Sequence, residues 1–192
     1  SMLNTKQNGR QFDRKAYWEH CLAAAVAAKI LAKVTQPFLG EQMYCMGMLH
    51  DIGLLVLDRF CPDAMDAAIR AAEKHGTMLC EAERAQINSD HAHLGGILAT
   101  KWGFGSEFSK AIVSHHQSSG WEPNDKRGPI LALANILAHQ AGYQNQTPGL
   151  DYEIPEGLLQ LVGVPDEQLE SILEVVKAEV DKATSSMALL AA

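Results

Sequence analysis

The feature that most constrains this chain is the adjacent pair His50-Asp51 inside the apolar run Met48-Leu49-His50-Asp51-Ile52-Gly53. An imidazole and a carboxylate are costly to bury in an apolar, helix-compatible segment unless both bind a strong common partner. A divalent metal ion is the best candidate for that partner, because histidine nitrogen and aspartate oxygen are both common metal ligands. The pair therefore predicts a polar centre inside the core of the fold.

Four more histidines along the chain have the same character. They are His20, upstream of the pair, and His91, His115 and His116, downstream of it. Each lies in a segment with helical periodicity, on or beside the face that carries the apolar residues. A single inward histidine is usually a hydrogen-bonded core residue, but five of them with an aspartate are hard to explain in that way. Because helix bundles commonly build metal sites in their cores, we expect these six residues to form a metal site or a site derived from one.

Apolar residues recur at helical spacing along almost the whole chain, and no stretch alternates convincingly as a strand would. We therefore predict an all-α fold, a single helical bundle. The predicted helices cover 13–35, 41–59, 62–75, 79–87, 90–102, 106–116, 129–141, 155–161 and the chain from 165 onward. In the helix 41–59, His50 faces inward and Asp51, ~100° further round, borders that face. The polar segments 117–128 and 142–154 are predicted loops.

The composition is that of an ordinary globular protein. The chain has 192 residues, of which 47% are hydrophobic, so we expect one compact domain over 3–192, with Ser1-Met2 left over from expression. A formal charge of -7 without a basic block argues against duplex nucleic acid as a partner. No apolar run reaches the ~18 residues of a membrane span. Four well-separated cysteines are typical of free thiols in a reducing cytoplasm.

The ligand types favour a divalent transition metal over calcium or magnesium, because imidazole suits Mn, Fe, Co, Ni and Zn. One ion or two would fit, since the adjacent His115 and His116 could serve neighbouring ions. Asn135 shares an inward helix face and is expected as a weak ligand or a hydrogen-bond partner of one. Of the other histidines, His75 and His139 are expected at helix ends or at the surface, and His93 is expected at the surface or in support of a ligand. Two tryptophans are expected to be packing anchors: Trp102 and Trp121.

Four motifs, in order along the chain, resemble those of the HD superfamily. The motifs are Trp18-Glu19-His20, Leu49-His50-Asp51-Ile52-Gly53, Asp90-His91-Ala92-His93-Leu94-Gly95 and Ile112-Val113-Ser114-His115-His116. Together with Trp102-Gly103-Phe104, they are most similar to the HDOD branch of bacterial signalling proteins, over roughly residues 12–140. The resemblance implies an all-α domain with a metal centre. By position, the residues that match its ligand motifs are His20, His50, Asp51, His91, His115 and His116.

Three departures from the superfamily pattern bear on catalysis. Asn135 stands where the last metal-binding aspartate is usual, and it carries no charge to offset a divalent ion. Leu54 stands where catalytic relatives often have a lysine, and the Gly-Tyr-Pro signature of the phosphodiesterase branch is absent after His116. HDOD domains also normally carry a helical portion upstream that this sequence lacks, and an apolar face exposed in this way would favour homodimers.

Two functions are therefore open. The first is a bacterial signal-transduction module, a regulatory output domain that keeps the HD-type centre without efficient catalysis and binds a signalling protein or a small nucleotide ligand. The alternative is a metal-dependent phosphohydrolase or phosphodiesterase acting on a nucleotide or cyclic dinucleotide. In that alternative a metal-activated water attacks phosphorus, Asp51 bridges metals or orients the water, and His115 or His116 protonates the leaving group.

Overall fold

The computed structural model describes residues 10–122, 124–146 and 152–190, with side chains up to residue 185. Within these ranges every regular element is helical and no strand occurs, as predicted. The α-helices of the described ranges are α1 Arg14–Thr35, α2 Gly40–Leu49, α3 Ile52–Phe60, α4 Pro62–His75, α5 Leu79–Ile87, α6 His91–Lys101, α7 Ser106–Val113, α8 Arg127–Gln140, α9 Leu158–Val162 and α10 Leu169–Leu190. Short 3-10 turns at Pro37–Leu39 and Asp166–Gln168 precede α2 and α10. No helix of the described chain is long and apolar enough to cross a bilayer.

Helix α1 is the central element, and it packs against α2, α8 and α10. Its run of buried alanines lets neighbouring helices approach closely, because a methyl side chain keeps little volume between two backbones. Asp13 caps the helix, accepting hydrogen bonds from the backbone amides of Lys15 at 2.9 Å and Ala16 at 3.1 Å. The helix ends at Thr35, before Pro37, as the sequence predicted.

The predicted helix 41–59 is wrong in one respect, because the chain breaks it at His50-Asp51 into α2 and α3. The Nδ1 of His50 donates to the Gly47 carbonyl at 2.7 Å, and Asp51 has φ -99° and ψ 14°, outside helical geometry. No proline or glycine lies at the break, so the periodicity carries no signal for it. The break matters because it lets both side chains of the pair face one centre rather than diverge around a continuous helix.

Two glycines allow helices to approach closely on either side of this break. A Cβ on Gly47 of α2 would lie 2.4 Å from the Cα of Ala25 on α1. A Cβ on Gly53 of α3 would lie 2.0 Å from the backbone oxygen of His91 on α6. Both distances are far below van der Waals contact, so only glycine lets α2 reach α1 and α3 reach α6.

The buried apolar residues form two clusters. The larger cluster joins most of α1 with α2, α7, α8, α9 and α10 and contains Met43 and Met46. The smaller cluster joins the start of α1 with α3, α4 and α5 and contains Tyr17 and Leu54. Along α1, His20 lies between Tyr17 and Cys21 of the smaller cluster, and the larger cluster begins three residues later at Ala23, so the polar centre lies close to where the two cores meet.

Several other predictions need correction. Trp102 is 55% exposed at the end of α6, because the helix stops there and the following Gly103 turns the chain away; it is not a packing anchor. Trp121 does pack against the larger cluster. Three helix boundaries differ from the predicted ones by a few residues, because the helical hydrogen bonds begin or end elsewhere. Helix α7 ends at Val113, α8 begins at Arg127 and α10 begins at Leu169. Residues 1–2 and part of the predicted loop 142–154 lie outside the described residues.

Candidate metal centre

The six residues singled out in the sequence come together around the carboxylate of Asp51. The shortest distances from its two oxygens to ring Nε2 atoms are 3.4 Å to His50, 3.3 Å to His91, 3.4 Å to His115 and 3.6 Å to His20. The Nε2 of His116 lies 2.8 Å from the Nε2 of His91. Asp51 and the four histidines nearest to it are at most 2% exposed, whereas His116 is half-buried.

The backbone and one carboxylate fix the orientation of four of these rings. The Nδ1 atoms of His20, His50 and His115 donate to the carbonyl oxygens of Tyr143, Gly47 and Ile112, at 2.7, 2.7 and 2.6 Å. The Nδ1 of His91 donates to Glu83 Oε2 at 2.6 Å. Because an oxygen acceptor holds the proton on Nδ1, each neutral ring presents a bare Nε2 lone pair to the centre. Such supported histidines are characteristic of metal ligands.

The donor chemistry fits a divalent metal ion. Asp51 Oδ1 and His115 Nε2 are buried and have no hydrogen-bond partner among the described residues. The Nε2 atoms of His20 and His50, both lone-pair bearing, face each other at 3.2 Å. Acceptors gathered without donors in a desolvated site cost free energy, and a cation among them removes that cost.

The ligand atoms divide into two groups that share Asp51. One, here called the outer half-site, contains Asp51, His91, His115 and His116; the other, the inner half-site, contains His20, His50 and Asp51. Within each group, one ligand atom per residue lies within 4.8 Å of all the others. This spacing is compatible with one ion in either half-site or with one in each.

The titratable groups of the centre are strongly perturbed. Burial lowers the pKa of His50 to about 3. Burial acts on His91 in the same direction, but the carboxylates of Glu83 and Asp51 outweigh it and raise the pKa of His91 well above its ordinary value. Burial would raise the pKa of Asp51, yet the surrounding histidines hold it well below its usual range. The centre therefore keeps its carboxylate ionised and favours positive charge near His91.

Glu83 is a site residue that the sequence reasoning missed. Its Oε2 accepts from both the backbone amide of His91 at 2.8 Å and the ring Nδ1 at 2.6 Å, while its Oε1 is buried and has no partner within the described part of the chain. The helical spacing indicates that Glu83 is buried, because it places Glu83 on the same face of α5 as Leu79 and Ala82. A carboxylate behind a ligand histidine orients the ring and makes it more basic.

His139 was predicted at a helix end or at the surface; it lies in the last turn of α8, but it is only 3% exposed. Its ring centroid lies 4.5 Å from that of His20, and its other side stacks on Tyr152 at 3.6 Å. The cause is its position on α8 one turn after Asn135, which is itself buried, so both face the centre. His75 and His93 are exposed, as predicted.

Two amides border the inner half-site. Asn145, on the segment after α8, donates its Nδ2 to Asp51 Oδ2 at 2.7 Å. Asn135 keeps its Oδ1 buried and without a hydrogen-bond partner among the described residues. Burial lowers the pKa of His20, and both Asp51 and Asn135 act against that shift. The structure thus places Asn135 beside His20, where the sequence predicted a weak ligand or a supporting residue.

This fold and this histidine-aspartate centre define an HD-type helical domain. The HDOD domain family matches residues 1–118, which is more than half of the sequence, and the chain belongs to this family. A search among curated proteins found no match.

Several solved structures share this fold. An HDOD domain protein of unknown function from Geobacter sulfurreducens is 21% identical, with a TM-score of 0.72 over 88% of this chain and 62% of that one. A provisionally assigned phosphohydrolase from Shewanella amazonensis SB2B is 26% identical, with a TM-score of 0.66 over 90% and 62%. A provisionally assigned signal transduction protein from Marinobacter aquaeolei VT8 is 18% identical, with a TM-score of 0.80 over 100% and 42%. The chain therefore spans less than two thirds of each of these structures.

Proposed function

We propose that this chain is a regulatory module of bacterial signal transduction whose centre binds a divalent transition metal and acts by binding a ligand or partner rather than by efficient catalysis. One observation carries the proposal: the Nε2 atoms of four histidines converge on a buried, ionised carboxylate, one oxygen of which has no hydrogen-bond partner among the described residues. Family membership and the structural neighbours support a regulatory HD-like domain. The proposed location of the protein is the cytoplasm, where the thiols would stay reduced.

Three features favour binding over turnover. Asn135 supplies no charge to the inner half-site, and Asp51 Oδ2 is already engaged by Asn145. Leu54, at the position where catalytic relatives often have lysine, is completely buried in the smaller apolar cluster. A cationic side chain would normally neutralise a developing phosphate charge, and Leu54 cannot do so.

Phosphohydrolysis is the second candidate, favoured by the half-buried position of His116. When bound, a divalent ion would acidify a water and offset phosphate charge. Asp51 would orient that water, since its Oδ1 has no hydrogen bond to any described residue. If His116 is not a ligand of that ion, it suits the role of proton donor better than His115, which is buried and whose Nδ1 is committed to a carbonyl.

The deciding experiment is elemental analysis of the protein purified without chelators and without a nickel column. The proposal expects one or two equivalents of Mn, Fe, Co, Ni or Zn per chain, with only weak hydrolysis of generic phosphodiesters. Rapid, metal-dependent hydrolysis would instead establish the phosphohydrolase. A protein that stays metal-free after these ions are added would contradict both functions and leave a polar core inherited by a binding module.

A further inference from the structure

Residues 143–146, which follow α8 and are here called the strap, contact the inner half-site at two points. The backbone carbonyl of Tyr143 accepts from His20 Nδ1 at 2.7 Å. The side chain of Asn145 donates its Nδ2 to Asp51 Oδ2, also at 2.7 Å. The first contact supports a candidate ligand, because it leaves the Nε2 of His20 free for an ion. The second contact instead occupies a candidate ligand atom.

Both ends of the strap are fixed to other parts of the fold. The hydroxyl of Tyr143 donates to Asp181 Oδ1 on α10 at 2.9 Å. Gln146 is 4% exposed and makes two hydrogen bonds to the backbone of Asp13, which caps α1: its Oε1 accepts from the amide at 2.7 Å, and its Nε2 donates to the carbonyl at 3.1 Å. The side chain between these anchors is therefore held in place before any ion binds, so its bond to the carboxylate costs little ordering entropy.

The direction of the Asn145 amide is fixed by its second partner. Its Oδ1 accepts from the backbone N–H of Gln146 at 2.7 Å. A backbone N–H can only donate, so the oxygen of the amide must face Gln146 and the NH₂ group must face Asp51. A hydrogen bond from an N–H group to an ionised carboxylate is stronger than one between neutral groups.

The two oxygens of Asp51 face different histidines. Oδ1 is the nearer oxygen for His50, His91 and His115, at 3.4, 3.3 and 3.4 Å from their Nε2 atoms. Oδ2 is the nearer oxygen for His20, at 3.6 Å. An ion in the inner half-site, beside His20, would therefore bind Oδ2, which is the oxygen that Asn145 occupies.

An ion and the Asn145 amide would compete for this oxygen. The amide satisfies the buried carboxylate with a partial positive charge and adds no net charge to the site. An ion on Oδ2 would place its full charge against the positive end of the N–H dipole, and Asp51 is 1% exposed, so water screens this repulsion poorly. Asn135, on the other side of His20, brings no negative charge that would favour the ion.

We propose that Asn145 limits the centre to one tightly bound ion by occupying Asp51 Oδ2, and that α10 keeps it there through the hydroxyl of Tyr143. Movement of α10 away from the strap would then free the inner half-site for a second ion. The proposal rests on the proposed metal-binding function and names the residues that regulate its metal content.

The test is a titration of the metal-free protein with Zn²⁺ in competition with a chromogenic chelator, which gives the affinities of the first and second ions. The wild type should bind one ion tightly and a second one weakly. Asn145→Ala should bind the second ion about tenfold more tightly or better, since a hydrogen bond to a charged group contributes at this scale. Its affinity for the first ion should be unchanged, which also shows that the variant is folded. Asn124→Ala, at an exposed position, is the matched control and should behave as the wild type.

A second pair of variants tests the link to α10. Tyr143→Phe removes the hydrogen bond to Asp181 and keeps the backbone carbonyl that supports His20. It should tighten binding of the second ion by a smaller factor, about two- to tenfold, and it keeps the proposal testable if Asn145→Ala does not fold. Tyr44→Phe removes a hydroxyl from α2 and keeps the ring that faces Lys29, so it should change neither affinity. Equal second-ion affinities for Tyr143→Phe and Tyr44→Phe would overturn the role of α10.

The outcomes separate this inference from the proposed centre. A wild type with one ion and an Asn145→Ala variant with no gain overturn the role of Asn145 and leave the centre in place. A loss of affinity in Asn145→Ala also overturns it, because Asn145 would then support Asp51 as a ligand. Two tightly bound ions in the wild type have the same meaning. A wild type that binds no Zn²⁺ fails the proposed function; Asn145→Ala would then support the inference by gaining an ion and overturn it by staying empty.

Discussion

The two half-sites share one carboxylate and differ in almost everything else. The outer half-site has three histidines, a second buried carboxylate behind His91, and a half-buried residue, His116, that reaches a surface cleft. The inner half-site has two histidines supported by neutral backbone carbonyls, and the side chains beside it are amides and a neutral ring.

This difference shows which residues supply the negative charge that would stabilise a bound ion. A divalent ion in a desolvated site needs nearby negative charge, and the outer half-site has the carboxylates of both Asp51 and Glu83. The inner half-site has only a share of Asp51, because Asn135 brings no charge. We therefore expect the outer half-site to bind the first ion and the inner one to bind a second ion weakly or not at all.

The largest effect should come from Asp51→Asn, which removes the carboxylate common to both half-sites. Metal content should fall to background. The loss of metal affinity should exceed the ~10- to 100-fold loss caused by removing a hydrogen-bond partner behind a ligand. Elemental analysis measures it, with Asp63→Asn, at an exposed carboxylate of α4, as the control. Full metal content in Asp51→Asn would mean that the ion lies elsewhere.

Substitution of either close-approach glycine should lower the stability of the fold, because each glycine allows two helices to meet beside the centre. Gly53→Ala forces α3 away from α6 at the outer half-site and should destabilise the fold by several kcal/mol, in the upper range for overpacking, with loss of metal. Gly47→Ala disrupts α1 against α2 and should destabilise the fold comparably. Gly40→Ala, whose new Cβ meets only a side-chain carbon at 3.6 Å, should be neutral or slightly stabilising. The midpoint of urea unfolding measures these effects. Equal midpoints for all three variants would show that the close approaches at Gly47 and Gly53 do not limit stability.

Replacing one histidine on each side compares the half-sites directly. His116→Gln should lower the affinity for the first ion by at least the ~10- to 100-fold cost of a damaged ligand shell. His20→Gln should leave that affinity nearly unchanged and act mainly on stability, since His20 is fully buried and bonded to the Tyr143 carbonyl. Competition titration with a chromogenic chelator measures both, and a larger effect from His20 would reverse the assignment.

The smallest expected effect is a gain in metal affinity at the inner half-site. Asn135→Asp adds a carboxylate beside His20 and should raise the affinity of the inner half-site, so that the metal content moves toward one further equivalent. Asn124→Asp adds the same charge at an exposed position and serves as the control. Unchanged metal content in Asn135→Asp would count against Asn135 as a ligand position.

The sequence predicted the all-helical class and the residues that gather at the centre, because both depend on periodicity that a 3.6-residue repeat makes visible. It did not predict the break at His50-Asp51, since a local hydrogen bond to Gly47 and tertiary packing decide that geometry. Glu83 and His139 were missed for a related reason. Each is a polar residue on an otherwise apolar helix face, and only the packing of a second helix shows what it contacts.

The spacing of the centre along the chain has a mechanical consequence. His20 and His116 are 96 positions apart, and the residues between them include members of both apolar clusters. An ion in this centre would be bound by residues from α1, the α2–α3 break, α6 and the turn after α7. It would cross-link these segments and close large chain loops, much as a disulfide does. The two cores would then melt together in the metal-bound protein and could separate into two transitions once the ion is removed.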